Sequence, residues 1–341
     1  MNELDYELPG DAIAQTPVEP RDAARLLVDG GDGAPPTHRH VRDLPSLLEP
    51  GDLVVDNDTR VLPARLNLRR SSGGAVEVLL LDRRDADGYS WEALVRPSRK
   101  LRDGEVVTAP DGGLRVVIGE RLDDEGVRQV ELETDDDPLA AIHAYGTAPL
   151  PPYITTPLGD PERYQTVYAV RPGSAAAPTA GLHLTPQVLD ELVGRGIGLA
   201  RVELVVGLDT FRPVTVDDPA LHRMHTESYR VDLSVLTRCR ETRAAGHRVV
   251  AIGTTTVRAL ESAAVRGPFG RTDLFIRRPY DFKVVDVLLT NFHLPRTTLL
   301  VMIDAFVGPR WRQLYETAMT DGYRFLSFGD AMLLTRGGAG G

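Results

Sequence analysis

Between about residues 66 and 134 the hydrophobic pattern changes period, and that change limits the architectures open to the chain. Short apolar stretches at 75–81, 91–95, 105–109, 114–118 and 129–132 are separated by turns rich in Gly, Asp and Ser. Strands at that spacing, with no long helical period between them, specify a small antiparallel barrel. On either side the chain alternates helix and strand. Before the barrel, strands are expected at 25–28 and 52–55, with a helix over 43–48 that has Asp43 as N-cap and a proline in its first turn. After it, helical periodicity returns at 139–142, and Pro149, Pro151 and Pro152 stiffen the link that follows. A helix over 185–196 is capped by Thr185, opened by Pro186 and closed by Gly196. The near-continuous apolar run 199–206 reads as a strand buried on both faces. Helices are expected at 232–246, 297–307 and 311–322, and strands at 248–252, 284–289, 324–328 and 331–334. The fold expected is therefore an α/β catalytic domain made from residues 1–64 and 150–341, interrupted by an inserted β-barrel domain at 65–149.

Composition narrows the function. Hydrophobic residues at 42% and charged residues at 26% describe an ordinary globular chain. The charge balance, 39 − 49 = −10, argues against a nonspecific nucleic-acid coat. Local basic faces remain open to it, because Arg65, Arg69, Arg70, Arg99 and Lys100 are gathered in the barrel. The single cysteine, Cys239, cannot form an internal disulfide or a thiolate cage. An acidic amino terminus and the lack of a long apolar run point to a cytoplasmic protein without a membrane partner.

Three segments carry the strongest chemical signals. Residues 176–183, AAPTAGLH, put small residues, Thr179, Gly181 and His183 directly before a helix start, where free N–H groups attract an anion. Residues 253–258, GTTTVR, follow a strand and open a helix, and 290–295, TNFHLP, sit at a similar junction; ligands in open α/β sheets bind at such carboxyl ends. His222, His225 and Glu227 read either as a proton-handling cluster or as surface polar residues, and their spacing matches no standard zinc pattern. The lysine and glycine spacing of a phosphate-binding Walker loop is absent, as is a dinucleotide fingerprint after the first strand.

Ten blocks in order, among them YELP at 6–9, NDTRVLPARL at 57–66, LPPYI at 150–154, AAPTAGLH, MHTE at 224–227, GTTTVRALES at 253–262, TNFHLP and YRFLSFGDAML at 323–333, closely resemble the S-adenosylmethionine:tRNA ribosyltransferase-isomerase family of queuosine biosynthesis. The resemblance spans nearly the whole chain. It implies transfer and isomerisation of the ribosyl group of S-adenosylmethionine onto the aminomethyl group of prequeuosine-1 at the tRNA wobble position. Epoxyqueuosine-tRNA is formed, with adenine and methionine released. S-adenosylmethionine is then a co-substrate, no metal or redox cofactor is implied, and the partner is tRNA carrying prequeuosine-1, met by a monomer. Such chemistry needs a base for an acidified C5′ proton and an acid for departing adenine, so His183, His225, Glu227 and His293 are the acid–base candidates. Thr179, Gly181, Thr254, Thr255 and Asn291 would hold adenine, ribose or the methionine group. Arg60, Arg258 and Arg324 would hold a carboxylate, a phosphate or the deazaguanine edge. Arg65, Arg69, Arg70, Arg99 and Lys100 would meet the tRNA.

The chain departs from the family pattern in two places. Where a histidine and a second glycine are usual, it has Val205 and Asp209, and 277–281, RRPYD, replaces a proline-glycine turn. Valine cannot titrate, and aspartate adds a charge and a Cβ. A relative with a different, small-molecule acceptor and a non-catalytic nucleoside or RNA binder are the alternative readings.

Overall fold

Fully apolar runs build the middle of the molecule. In the computed structural model, which describes residues 2–31, 33–123, 126–205, 222, 224 and 226–337, the strands Leu53–Asn57, Val249–Ile252 and Val287–Asn291 lie parallel, each buried along its length. They are the centre of a nine-stranded sheet ordered Phe269–Thr272, Glu227–Arg230, Gly198–Leu204, Leu53–Asn57, Val249–Ile252, Val287–Asn291, Ala331–Thr335, Arg25–Val28 and Thr37–His40. Gly198–Leu204 is parallel to Leu53–Asn57, and the two strands beyond it are antiparallel. Ala331–Thr335 is antiparallel to Val287–Asn291 and parallel to Arg25–Val28.

The helices are α1 (Leu44–Leu47), α2 (Pro138–Tyr145), α3 (Pro186–Gly194), α4 (Leu233–Ala244), α5 (Thr254–Arg266), α6 (Thr298–Val307) and α7 (Trp311–Thr320). Strand alternation sorts the core into two layers. Leu53 and Val55 pack with α4 to α7, and Val54 packs with α1 and α3. Thr185 caps α3 by accepting from the Val188 N–H at 3.3 Å, as its sequence position requires.

The second sheet is the expected barrel. Arg65–Arg70, Ala75–Arg83, Ser90–Arg96, Val127–Glu133, Arg115–Arg121 and Glu105–Thr108 pair in that order, and the ring closes where Arg69 and Arg70 meet Thr108 and Val107. Closure leaves no open edge in the ring, which protects strands this short. Alternate residues such as Val76, Val78 and Leu80 fill the interior, joined by Ala141 and Ile142 of α2. Arg128 is buried in the barrel wall yet satisfied, donating to the carbonyls of Gly119, Ser98 and Leu101 and to Asp103. The barrel meets the large sheet through Arg271, whose guanidinium lies 2.9 Å from Asp82 and 3.2 Å from Glu92.

Two strand expectations need correcting. Gly198–Leu204, in place of the expected strand 199–206, is covered on one face only: Ala200, Val202 and Leu204 are buried, whereas Arg201 is exposed and lies 3.8 Å from Asp56. Residues 324–328 form a loop, not a strand, touching Ile13 through one isolated bridge at Phe325. Its apolar residues are buried because the loop crosses the core, and Asp330 ties it down by accepting from the N–H groups of Arg324 and Arg25 at 2.8 and 2.9 Å. The strands Thr37–His40, Glu227–Arg230 and Phe269–Thr272 are short and polar, so no apolar period announced them. Among the described residues no helix is long and apolar enough to cross a membrane.

Candidate active site

The central strands Val249–Ile252 and Val287–Asn291 end side by side, and a cavity opens at their carboxyl ends. Gly253, Thr254 and Thr255 form one wall, at the start of α5; Thr290, Asn291 and His293 form the next. The turn Thr179–His183 contributes Thr179, and the cavity is completed by Tyr153, Leu326 and Ser327. Among the described residues that line it, none is Asp, Glu, Lys or Arg. The cavity is polar through hydroxyls, an amide, an imidazole and backbone.

Asn291 organises it. Its Nδ2 donates to the Leu326 carbonyl at 3.2 Å, lies 3.4 Å from the Asp330 carbonyl, and meets His183 Nε2 at 2.9 Å. Its Oδ1 accepts from the Thr179 hydroxyl at 3.1 Å. Carbonyls only accept, so the amide nitrogen must face them, and His183 must then offer a lone pair at Nε2. Burial, helped by Arg324, Arg163 and Arg21 nearby, pushes the imidazole down to about 3. His183 is therefore a neutral acceptor that orients the amide. Gly181, two residues earlier, carries no Cβ because one would overlap the Tyr168 hydroxyl and crowd Thr166, so its smallness serves packing.

His293 lines the cavity itself. Its Nε2 is 3.0 Å from the Thr290 hydroxyl, and burial pushes it too down to about 3. Two tyrosines hold its backbone: Tyr6 donates to its carbonyl and its N–H donates to Tyr315 at 3.0 Å. Leu326 occupies the left-handed region with φ 70°, which turns its carbonyl towards Asn291. Tyr153 and Ser327, both lining the cavity, share a hydroxyl–hydroxyl bond of 2.7 Å.

The remaining expected residues sit elsewhere. Glu227 and Arg258 form a buried ion pair beside the cavity, with Arg258 also 3.4 Å from the Thr272 carbonyl. Arg60 pairs with Glu162 at 2.5 Å, and Arg324 donates to the carbonyls of Thr16 and Phe328 at 3.1 and 3.0 Å. In the barrel, Arg65 lies 3.7 Å from Glu77 and Arg70 2.6 Å from Glu105; Arg69 reaches the Gly73 carbonyl at 3.3 Å; Arg99 and Lys100 are exposed on one turn. His225 and Asp209 lie outside the described residues. Val205 is half-buried at the end of Gly198–Leu204, its N–H bonded to the Ser228 carbonyl at 2.9 Å. Arg278 in the altered turn pairs with Asp304 at 2.8 Å. Among the described residues no group of His, Cys, Asp and Glu is placed to hold a metal.

Sequence reasoning passed over Tyr153, Ser327 and Thr290, although each lies in a block used for the resemblance. A tyrosine and two hydroxyl residues have no pattern of their own that separates lining from packing. Asn57 was also missed: it joins the end of Leu53–Asn57 to the Leu204 carbonyl at 3.0 Å and to the Thr255 hydroxyl at 3.4 Å.

Comparison with known proteins agrees on one kinship. Residues 1–334 match the family described as "Queuosine biosynthesis protein". An S-adenosylmethionine:tRNA ribosyltransferase-isomerase from Symbiobacterium thermophilum is 49% identical over 98% of this chain and 99% of its own. One of the same name from Moorella thermoacetica is 48% identical, with the same coverage. The crystal structure of an S-adenosylmethionine tRNA ribosyltransferase from Thermotoga maritima aligns with TM-score 0.55 at 38% identity, covering 97% of this chain and 99% of that one.

Proposed function

The chain belongs to the queuosine biosynthesis protein family, and from that membership together with its cavity we propose that it is an S-adenosylmethionine:tRNA ribosyltransferase-isomerase. The reaction moves the ribosyl carbons of S-adenosylmethionine onto the aminomethyl group of prequeuosine-1 in tRNA, and adenine and methionine leave. One observation carries the reading beyond kinship: among the described residues, the cavity at the strand ends has hydroxyl, amide and imidazole groups but no charged side chain. A cationic sulfonium entering it meets no competing cation among those residues. Nor, among them, does a neutral amine meet a carboxylate that would hold it as an unreactive ammonium.

In this reading His293 is the group placed to take or relay a proton, since it reaches the cavity wall and is neutral. The sulfonium acidifies the adjacent C5′ proton, so a weak base is enough to start adenine loss. His183 acts through Asn291 and is a positioning residue. Glu227 and Arg258 shape the wall from behind. S-adenosylmethionine is consumed as a substrate, and residues 1–64 with 150–341 supply the catalytic unit. The exposed cations Arg99 and Lys100 remain the part of the barrel suited to tRNA phosphates.

A single-turnover assay with S-adenosylmethionine and tRNA carrying prequeuosine-1 tests this. Adenine and methionine should be released in equal amounts with an epoxycyclopentanediol mass gain on the wobble nucleoside. Folded protein that leaves the tRNA unmodified would overturn the reading. Modification of a free deazapurine instead would assign it the altered-acceptor chemistry.

A further inference from the structure

Two buried asparagines end the strands on either side of Val249–Ile252, and each decides what a cavity hydroxyl can offer. Asn57 is the more constrained. Its Oδ1 accepts from the N–H groups of Leu204 and Thr59 at 3.3 and 3.2 Å, and its Nδ2 donates to the Leu204 carbonyl at 3.0 Å. An N–H cannot accept and a carbonyl cannot donate, so the amide has one orientation. Its nitrogen then donates to the Thr255 hydroxyl oxygen at 3.4 Å. The Thr255 proton must point away from Asn57, and among the described residues no acceptor takes it. Thr255 lines the cavity, so it offers a donor there.

Asn291 imposes the opposite polarity. The Leu326 carbonyl holds its Nδ2, so its Oδ1 faces the Thr179 hydroxyl at 3.1 Å. An amide oxygen only accepts, so the Thr179 proton is spent on it and lone pairs remain for the cavity that Thr179 also lines. The two segments meet at Gly253, where a Cβ would lie 3.6 Å from the Ala180 Cβ and 3.8 Å from Thr255 Oγ1. A fixed donor and a fixed acceptor therefore share one cavity. Hydroxyls in solution can play either part; these two cannot.

Resting on S-adenosylmethionine as the substrate proposed above, we infer that this pair reads its adenine, with Thr179 accepting from the 6-amino group and Thr255 donating to a ring nitrogen, and that Asn57 and Asn291 are the positioning residues that set the two hydroxyls. Fixed polarity selects only a ligand whose own polarity is fixed. Ribose hydroxyls turn to suit either partner. The methionine arm carries full charges, for which the described lining offers no counter-charge. Adenine is neutral, its amino group only donates and its ring nitrogens only accept. A hypoxanthine ring, with an oxygen in place of the amino group, sets two acceptors against each other at Thr179.

The test measures equilibrium binding, to the full chain without RNA, of S-adenosylmethionine and of its inosyl analogue, in which hypoxanthine replaces adenine. Wild type should bind the analogue at least about 10-fold more weakly, because a site built to pair a group rejects the ligand that lacks it. Thr179→Val should weaken S-adenosylmethionine by roughly 5- to 20-fold and leave the analogue nearly unchanged, while Thr179→Ser keeps the wild-type preference. Thr255→Val should weaken S-adenosylmethionine by a similar factor. Asn57→Asp replaces the donating nitrogen by an oxygen that takes the Thr255 proton, so it should weaken binding in the wild-type background and add little to Thr255→Val. Any direct pull of the new carboxylate on the sulfonium is common to both backgrounds and cancels in the cycle, and a purely structural effect would show no coupling. The threonine variants decide the matter if Asn57→Asp does not fold. Equal loss of both ligands in Thr179→Val would give the contact to the ribose or the methionine arm and overturn the placement, as would a wild type that does not distinguish the two bases. Wild type that prefers the adenine form yet leaves tRNA unmodified would overturn the reaction and keep the placement; folded wild type that binds neither ligand would overturn both.

Discussion

Removing the Asn291 side chain tests how the cavity is held. The amide makes three bonds of 2.9, 3.2 and 3.1 Å, to His183, Leu326 and Thr179, besides a longer contact of 3.4 Å to Asp330. At ~1 kcal/mol net for each of the three, with a further ~1–2 for the buried His183 acceptor left unpaired, Asn291→Ala should cost about 4 kcal/mol. Asn291→Asp is more discriminating. It keeps an oxygen for Thr179, and sets the other against two carbonyls and the His183 lone pair. Protonation of His183 Nε2 relieves that last contact, so the imidazole should titrate far above its wild-type value of about 3. Urea unfolding measures the first quantity, and nitrogen NMR of labelled histidine across pH measures the second. An Asn291→Ala cost under ~1 kcal/mol would refute the network, since a merely exposed amide is lost at that level. So would a His183 that titrates near its ordinary value in the wild type.

Three other perturbations address different parts of the molecule. Burial, opposed by Arg201 and reinforced by Asp58, pushes buried Asp56 up from 3.8 to about 7, so its stabilising proton is fully held below the unfolded value and lost as pH rises through the folded one. Stability should fall across that window; Asp56→Asn should remove the slope and gain as much as ~4 kcal/mol at pH 8 by urea unfolding, and an unchanged slope would refute it. Glu227→Gln should destabilise by about 3 kcal/mol, because Arg258 is left as a buried cation, while Glu227→Leu with Arg258→Met recovers most of that; a folded Glu227→Gln protein with turnover reduced 100-fold would instead return Glu227 to the chemistry. Reversing Arg99 and Lys100 to glutamate should weaken tRNA binding and make its dependence on salt shallower by about one to two in the logarithmic slope, and an unchanged slope would move the RNA face elsewhere.

The legible parts of the fold were those with a strong period. Val249–Ile252 and Val287–Asn291 are uniformly apolar because they are covered on both faces, and the barrel strands alternate because they are covered on one. The run 324–328 misled for the same reason in reverse. Phe325, Leu326 and Phe328 are buried as a strand's residues would be, but the burial belongs to a loop crossing the core, and a period records burial without recording pairing. Edge strands such as Phe269–Thr272 are specified by register with their neighbour, which leaves no local trace. At the site, junction chemistry singled out the segments that hold Thr179, Thr254, Thr255 and Asn291, which the structure places around one cavity. It could not tell His293, on the cavity wall, from His183, behind the amide, since both are histidines flanked by small or polar residues.

The distinction matters because, among the described residues, charge is kept out of this cavity and spent around it. Glu227 neutralises Arg258 one helical turn behind Thr254, Arg324 is occupied by carbonyls, and both histidines are held neutral by burial. An arginine in the cavity would oppose a sulfonium, and a carboxylate would compete for it and for an incoming amine. Among the described residues, what is left to recognise a cationic ligand is backbone, such as the Leu326 carbonyl. Backbone dipoles do not titrate, so recognition built from them persists across the pH range in which an amine must lose its proton to attack. On this account, changes in pH should alter the chemical step through the amine while leaving the affinity for the sulfonium substrate nearly constant, a separation that a side-chain carboxylate or a titrating histidine in the wall would abolish.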